Sequence, residues 1–139
     1  MRRSVPCAAP GRVAHRRSIA IVEDDEDVGG LLRLMFARRG FAPVVLRDGR
    51  AAERYVATHG AAAAMILDGN LPYRDGFLVA GAVRADARWR AVPIVMLTGR
   101  SLEADVERAR AVGIEHYMVK PFRPSALAEL VGGLVAAPP

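Results

Sequence analysis

Six side chains in this sequence stand where chemistry is done. Glu23, Asp24 and Asp25 follow the apolar run "SIAIV", Asp68 follows "AAAMIL", Thr98 ends "PIVMLT", and Lys120 follows "EHYMV". Each therefore lies at the end of a short β-branched or aliphatic segment, a repeated placement in four separate parts of the chain. Carboxylates brought together in one crevice repel one another unless a cation intervenes. Hard oxygen ligands suit Mg²⁺, which takes one or two protein carboxylates and keeps several waters. The acids of "EDDEDV" also suit a helix start, where carboxylates favour the positive end of the dipole. That covers Glu26 and Asp27 but leaves Asp68, from a different run, without a reason. Lys120 is distinctive by type: it is the one lysine among 20 basic residues, the rest being arginine.

The elements that must position these residues follow from periodicity. Apolar runs at 18–22, 42–47, 62–67, 93–98 and 115–119 read as buried strands. Helical spacing predicts helices over 27–39, 50–58, 77–87, 102–112 and 124–135, with Gly40 and Gly113 as stops and Pro124 at or near the first turn. Trp89 falls near the end of the third of these and reads as a packing residue. Asp75-Gly76 reads as turn-forming only. Strands alternating with helices imply a doubly wound, five-stranded parallel sheet with helices on both faces, an α/β single domain. In such a fold ligands bind outside the carboxyl ends of the strands, where the strand order reverses. All six side chains belong to that edge.

Composition narrows the class. A chain of 139 residues is one domain's worth, and its longest uncharged stretch, Tyr55 to Leu67, is too short to span a bilayer. The single Cys7 excludes an internal disulfide, and His15, His59 and His116 have no metal-ligand spacing. The net charge of +5 comes from five arginines in the first seventeen residues; from Ser18 onward basic and acidic residues cancel. Residues 1–17 are thus expected to be a basic flexible extension and 18–137 the domain, with no direct DNA binding by the domain, no membrane association and a cytoplasmic location.

The segments "IAIVEDDEDV", "ILDGNLPYRDG", "PIVMLTG" and "YMVKPF" together resemble the receiver domain of two-component response regulators, from about Ser18 to Ala137. The resemblance implies that Asp68 is the phosphoacceptor, charged by a histidine kinase or histidine phosphotransfer domain. It implies Mg²⁺ held by Asp24, Asp68, the backbone carbonyl of Asn70, and Glu23 directly or through water. Thr98 would bond a phosphoryl oxygen, Lys120 would bridge Asp68 and the phosphoryl group, and Tyr117 would turn inward as Thr98 moves. The face of the fourth helix, fifth strand and fifth helix would then change, with self-association through it as one use. Pro121 would hold its loop through a cis bond.

Two departures modulate this. Gly69 stands where the family usually has an aliphatic residue, and is expected to loosen the backbone beside Asp68. The resemblance also implies that Asn70 and Arg100, two residues past Asp68 and Thr98, occupy positions that modulate dephosphorylation in that family. Only nineteen residues follow Lys120, so the expectation is a stand-alone receiver without an output domain, not a turnover enzyme. A degenerate receiver acting as a phosphorylation-independent interaction module stays open. A phosphohydrolase of the haloacid dehalogenase type is disfavoured, because it needs a second Asp where Asn70 stands.

Overall fold

The computed structural model describes residues 17–71, 75–99 and 103–136. Ten elements alternate along the chain: β1 Ser18–Val22, α1 Glu26–Arg38, β2 Ala42–Leu46, α2 Gly49–Thr58, β3 Ala64–Asp68, α3 Gly76–Ala85, β4 Ile94–Thr98, α4 Glu103–Ala111, β5 His116–Val119 and α5 Pro124–Ala136. The strands form one parallel sheet in the order β2-β1-β3-β4-β5, as the fold reading requires. The order reverses between β1 and β3, so a crevice opens at their carboxyl ends.

Two cores explain why the strands read as continuous apolar runs rather than alternating ones. Ile19, Ile21, Ile66 and Leu97 face one side and pack with Leu32 and Phe36 of α1 and Leu127 and Val131 of α5. Ala20, Val22, Met65 and Met96 face the other and pack with Val56 of α2, Val79 and Val83 of α3, and Ala109 of α4. Alternate residues thus feed opposite cores, and both faces of the sheet are covered. Burying a Leu, Ile or Phe side chain is worth about 1.5–3 kcal/mol each, so the sheet is held by its sides.

Local signals set the helix ends. Asp25, Asp48 and Asp75 cap α1, α2 and α3, each carboxylate accepting from N–H groups of the first turn. Gly40 and Gly113 adopt φ of +91° and +79°, which lets the chain turn after α1 and α4. The Lys120–Pro121 bond is cis.

The structure differs from the sequence reading in the ends of several elements. The third strand begins at Ala64, two residues later than expected, and extends through Asp68. α3 ends at Ala85, so Trp89 lies in the turn beyond it, fully buried, its indole N–H donating to the His59 carbonyl at 2.9 Å. Just before β1, the Arg17 carbonyl accepts from Ala42 N at 2.9 Å. The extension at 1–16, Pro72 and Arg100 lie outside the described residues.

Candidate functional site

Backbone pairing delivers the site residues to one place. Glu23 is the first residue past β1, held by its N–H on the Leu46 carbonyl at 2.9 Å. Asp68 is the last residue of β3, Thr98 the last of β4, and Lys120 directly follows β5. The Lys120 N–H donates to the Thr98 carbonyl at 2.7 Å, fastening the lysine to the end of β4. Asp24 follows Glu23, and one carboxylate oxygen each from Glu23, Asp24 and Asp68 can lie within 4.8 Å of the others.

Asp68 is almost wholly buried, and both of its oxygens are occupied. Oδ1 accepts from the Asn70 N–H at 3.0 Å, and Oδ2 pairs with Lys120 Nζ at 3.2 Å. The N–H and the ammonium together satisfy a carboxylate that would otherwise be buried without partners. Glu23 is the opposite case. Its Oε2 accepts from the Asp25 N–H at 3.2 Å, but Oε1 is buried without a partner among the described residues. Burial pushes its pKa up to about 7; the Asp25 N–H opposes this, Asp68 adds to the rise and Lys120 lowers it. A buried carboxylate oxygen without a donor, beside two more carboxylates, fits a hard cation.

Above Asp68 lies a cavity of about 470 Å³ lined by Asp68, Asn70, Thr98 and Lys120, with Asp75 and Arg108 on the α3–α4 side. Gly99 has no atom within 4 Å of where a Cβ would stand, so the cavity stays open beside Thr98. Gly69 is hydrogen-bonded on both sides. Its N–H donates to the Leu97 carbonyl at 2.9 Å and its carbonyl accepts from the Gly76 N–H at 3.2 Å, so both peptide groups that flank it are paired. Tyr117 sits on the edge strand β5 with 42% of its surface exposed. Its aromatic ring is thus outside the core in this structure.

Three residues of the site escaped the sequence reading. Asp75-Gly76 does more than turn the chain. A Cβ on Gly76 would stand 2.4 Å from the Asp68 carbonyl oxygen, so α3 begins in direct contact with the backbone of Asp68. Asp75 Oδ1 caps α3 while Oδ2 pairs with Arg108 Nη2 at 3.2 Å. An Asp before an apolar helix is a capping signal that was legible. Arg108, thirty-three residues away, carried none.

The pattern of the response regulator receiver domain matches residues 19–132. The chain belongs to this family. The transcriptional regulatory protein GltR of Pseudomonas aeruginosa is 36% identical over 123 residues, which is 88% of this chain and 50% of GltR. The chemotaxis protein CheY1 of Helicobacter pylori is 29% identical, with 80% of this chain and 90% of CheY1 aligned. The receiver therefore spans about half the length of GltR and most of CheY1. Among solved structures, the receiver domain of a sensor histidine kinase from Pseudomonas aeruginosa, with a magnesium ion coordinated in its active site cleft, is similar at TM-score 0.79. It shares 27% identity, over 88% of this chain and 99% of that one. Among the described residues of this receiver, no helix is long and apolar enough to cross a membrane.

Proposed function

We propose that this receiver accepts a phosphoryl group on Asp68 from a histidine kinase or histidine phosphotransfer protein, and changes a protein-binding face in response. The observation that carries this reading is the state of Asp68: buried at the strand-order switch, held by an N–H on one oxygen and an ammonium on the other. An Asp68 oxygen forms the O–P bond as the P–N bond of the donor histidine breaks. Lys120 releases part of its hold on the carboxylate and meets a phosphoryl oxygen; Thr98 bonds another. The acids Glu23 and Asp24, with Asp68 and the Asn70 carbonyl, would hold Mg²⁺, supported by the orphaned Glu23 oxygen. Bound there, Mg²⁺ supplies charge neutralisation for the phosphoryl oxygens.

The readout follows the exposed edge. Tyr117 turns inward as Thr98 engages the phosphoryl group, and the surface of α4, β5 and α5 is reshaped for a partner or a second copy. Gly69, Asn70 and Arg100 set how long the acyl phosphate lasts. In this reading the folded unit is residues 18–137, with a basic extension before it. It works in the cytoplasm as a phosphoacceptor with slow self-dephosphorylation, not as a turnover enzyme.

Incubation with acetyl phosphate and Mg²⁺, followed by intact-protein mass spectrometry, tests the reading. A stoichiometric phosphoryl adduct that disappears in Asp68→Asn is the expected result. No adduct on the folded protein would instead identify a phosphorylation-independent interaction module.

A further inference from the structure

Among the described residues, Lys120 and Arg108 are the cations that line the cavity over Asp68. Lys120 stands against an Asp68 oxygen, whereas Arg108 reaches the cavity from α4, beside Asp75. Arg108 is held in place by two neighbours. Its Nη2 lies 3.2 Å from Asp75 Oδ2, and its guanidinium carbon lies 4.0 Å from the centre of the Phe77 ring. Asp75 is itself fixed by capping α3 through its other oxygen. A guanidinium clasped between a carboxylate and an aromatic face has little rotamer freedom left to lose on binding an anion.

About 470 Å³ holds a small ligand and not merely a phosphoryl group. If Lys120, Thr98 and the cation held by the acids take the phosphoryl oxygens, whatever is attached to the phosphorus occupies the remaining space. We propose that Arg108 is a specificity-determining residue that receives the leaving group of small acyl phosphate donors, selecting donors whose leaving group departs as a carboxylate. This rests on Asp68 being the phosphoacceptor. In the step, an Asp68 oxygen forms a bond to phosphorus while the bond from phosphorus to the acyl oxygen breaks. That electron pair leaves with the carboxylate, and no proton moves. Negative charge grows on the acyl oxygen, where a preorganised guanidinium stabilises it more than it stabilises the neutral ammonia leaving from phosphoramidate.

The test compares rates of Asp68 phosphorylation by acetyl phosphate and by phosphoramidate, at fixed Mg²⁺, in wild type, Arg108→Gln and Arg108→Lys. Arg108 is about half exposed, so both variants keep the fold, which circular dichroism verifies. In Arg108→Gln the ratio of the acetyl phosphate rate to the phosphoramidate rate should fall about tenfold, the worth of one charge-assisted hydrogen bond. Arg108→Lys, which keeps the charge, should recover most of it. An unchanged ratio, with both donors slowed alike, would leave Arg108 a structural clasp and overturn the proposal. So would a lysine variant no better than glutamine. Wild type that gains no Asp68-dependent adduct from either donor defeats the phosphoacceptor reading and this one together. A normal adduct with an unchanged ratio defeats only the role of Arg108.

Discussion

At the scale of single residues, the pairing of Asp68 with Lys120 explains a choice of side chain. Oδ2 of Asp68 lies 3.2 Å from Nζ, and its other oxygen is already bonded to the Asn70 N–H. An ammonium is a compact point charge on a flexible stem, able to hold one oxygen and then follow a phosphoryl group. A guanidinium is planar and favours bidentate pairing, which would compete with the Asn70 N–H for the carboxylate that attacks in the proposed reaction. Lys120→Arg is therefore expected to fold normally yet take up phosphoryl groups on the order of tenfold more slowly, since a displaced reacting group loses that much or more. Wild-type uptake kinetics in this variant would refute the explanation. The residue types at 23, 24, 68, 98 and 120 were legible because each ends an apolar run. The unpartnered Glu23 oxygen and the Arg108–Asp75 clasp were not, because both depend on which atoms the fold brings within reach.

At the scale of elements, the start of α3 is a tight joint near the site. A methyl at Gly76 would meet the Asp68 carbonyl oxygen at 2.4 Å and the Gly69 Cα at 2.8 Å, both backbone atoms that cannot step aside cheaply. Gly76→Ala should lower unfolding stability by about 1–3 kcal/mol, the usual range for overpacking, and slow phosphorylation of Asp68 as well. Gly30 in α1 is the contrasting glycine, with nothing within 4 Å of a Cβ. Gly30→Ala should raise stability by about 1 kcal/mol by removing a weak helix former. Urea denaturation of the two variants checks both signs. Trp89 belongs at this scale too: the sequence reads it as a packing residue near the end of the third helix, and it is fully buried in the turn after Asp86 ends α3.

At the scale of the whole molecule, burial of Glu23 couples the site to stability. Its pKa, about 7 in the fold against an ordinary 4.5, means that the native state binds a proton more tightly than the unfolded chain. The contribution of Glu23 is therefore greatest below pH 4.5 and is lost as pH rises towards 7. In protein freed of divalent ions, wild type should lose melting temperature across that window relative to Glu23→Gln. The comparison separates this from Asp86, whose carboxyl the Arg88 side chain holds below its usual range and which acts in the opposite direction. Mg²⁺ added at pH 7 should raise the wild-type melting temperature by mass action, and raise that of Glu23→Gln less. Equal slopes with pH in the two proteins would remove Glu23 as the cause.

The amino-acid sequence by itself determined the alternation of five strands and five helices, the edge at which the acids, the threonine and the lysine gather, and the family. It could do so because strand and helix periods, caps and strand-end residues are local patterns. Only the tertiary structure decided that both peptide groups flanking Gly69 are paired, that Gly76 abuts Asp68, and that Arg108 lines the cavity above it. These are contacts between segments far apart in the chain. No local pattern specifies them, because they come from the register of the sheet and the packing of helices upon it.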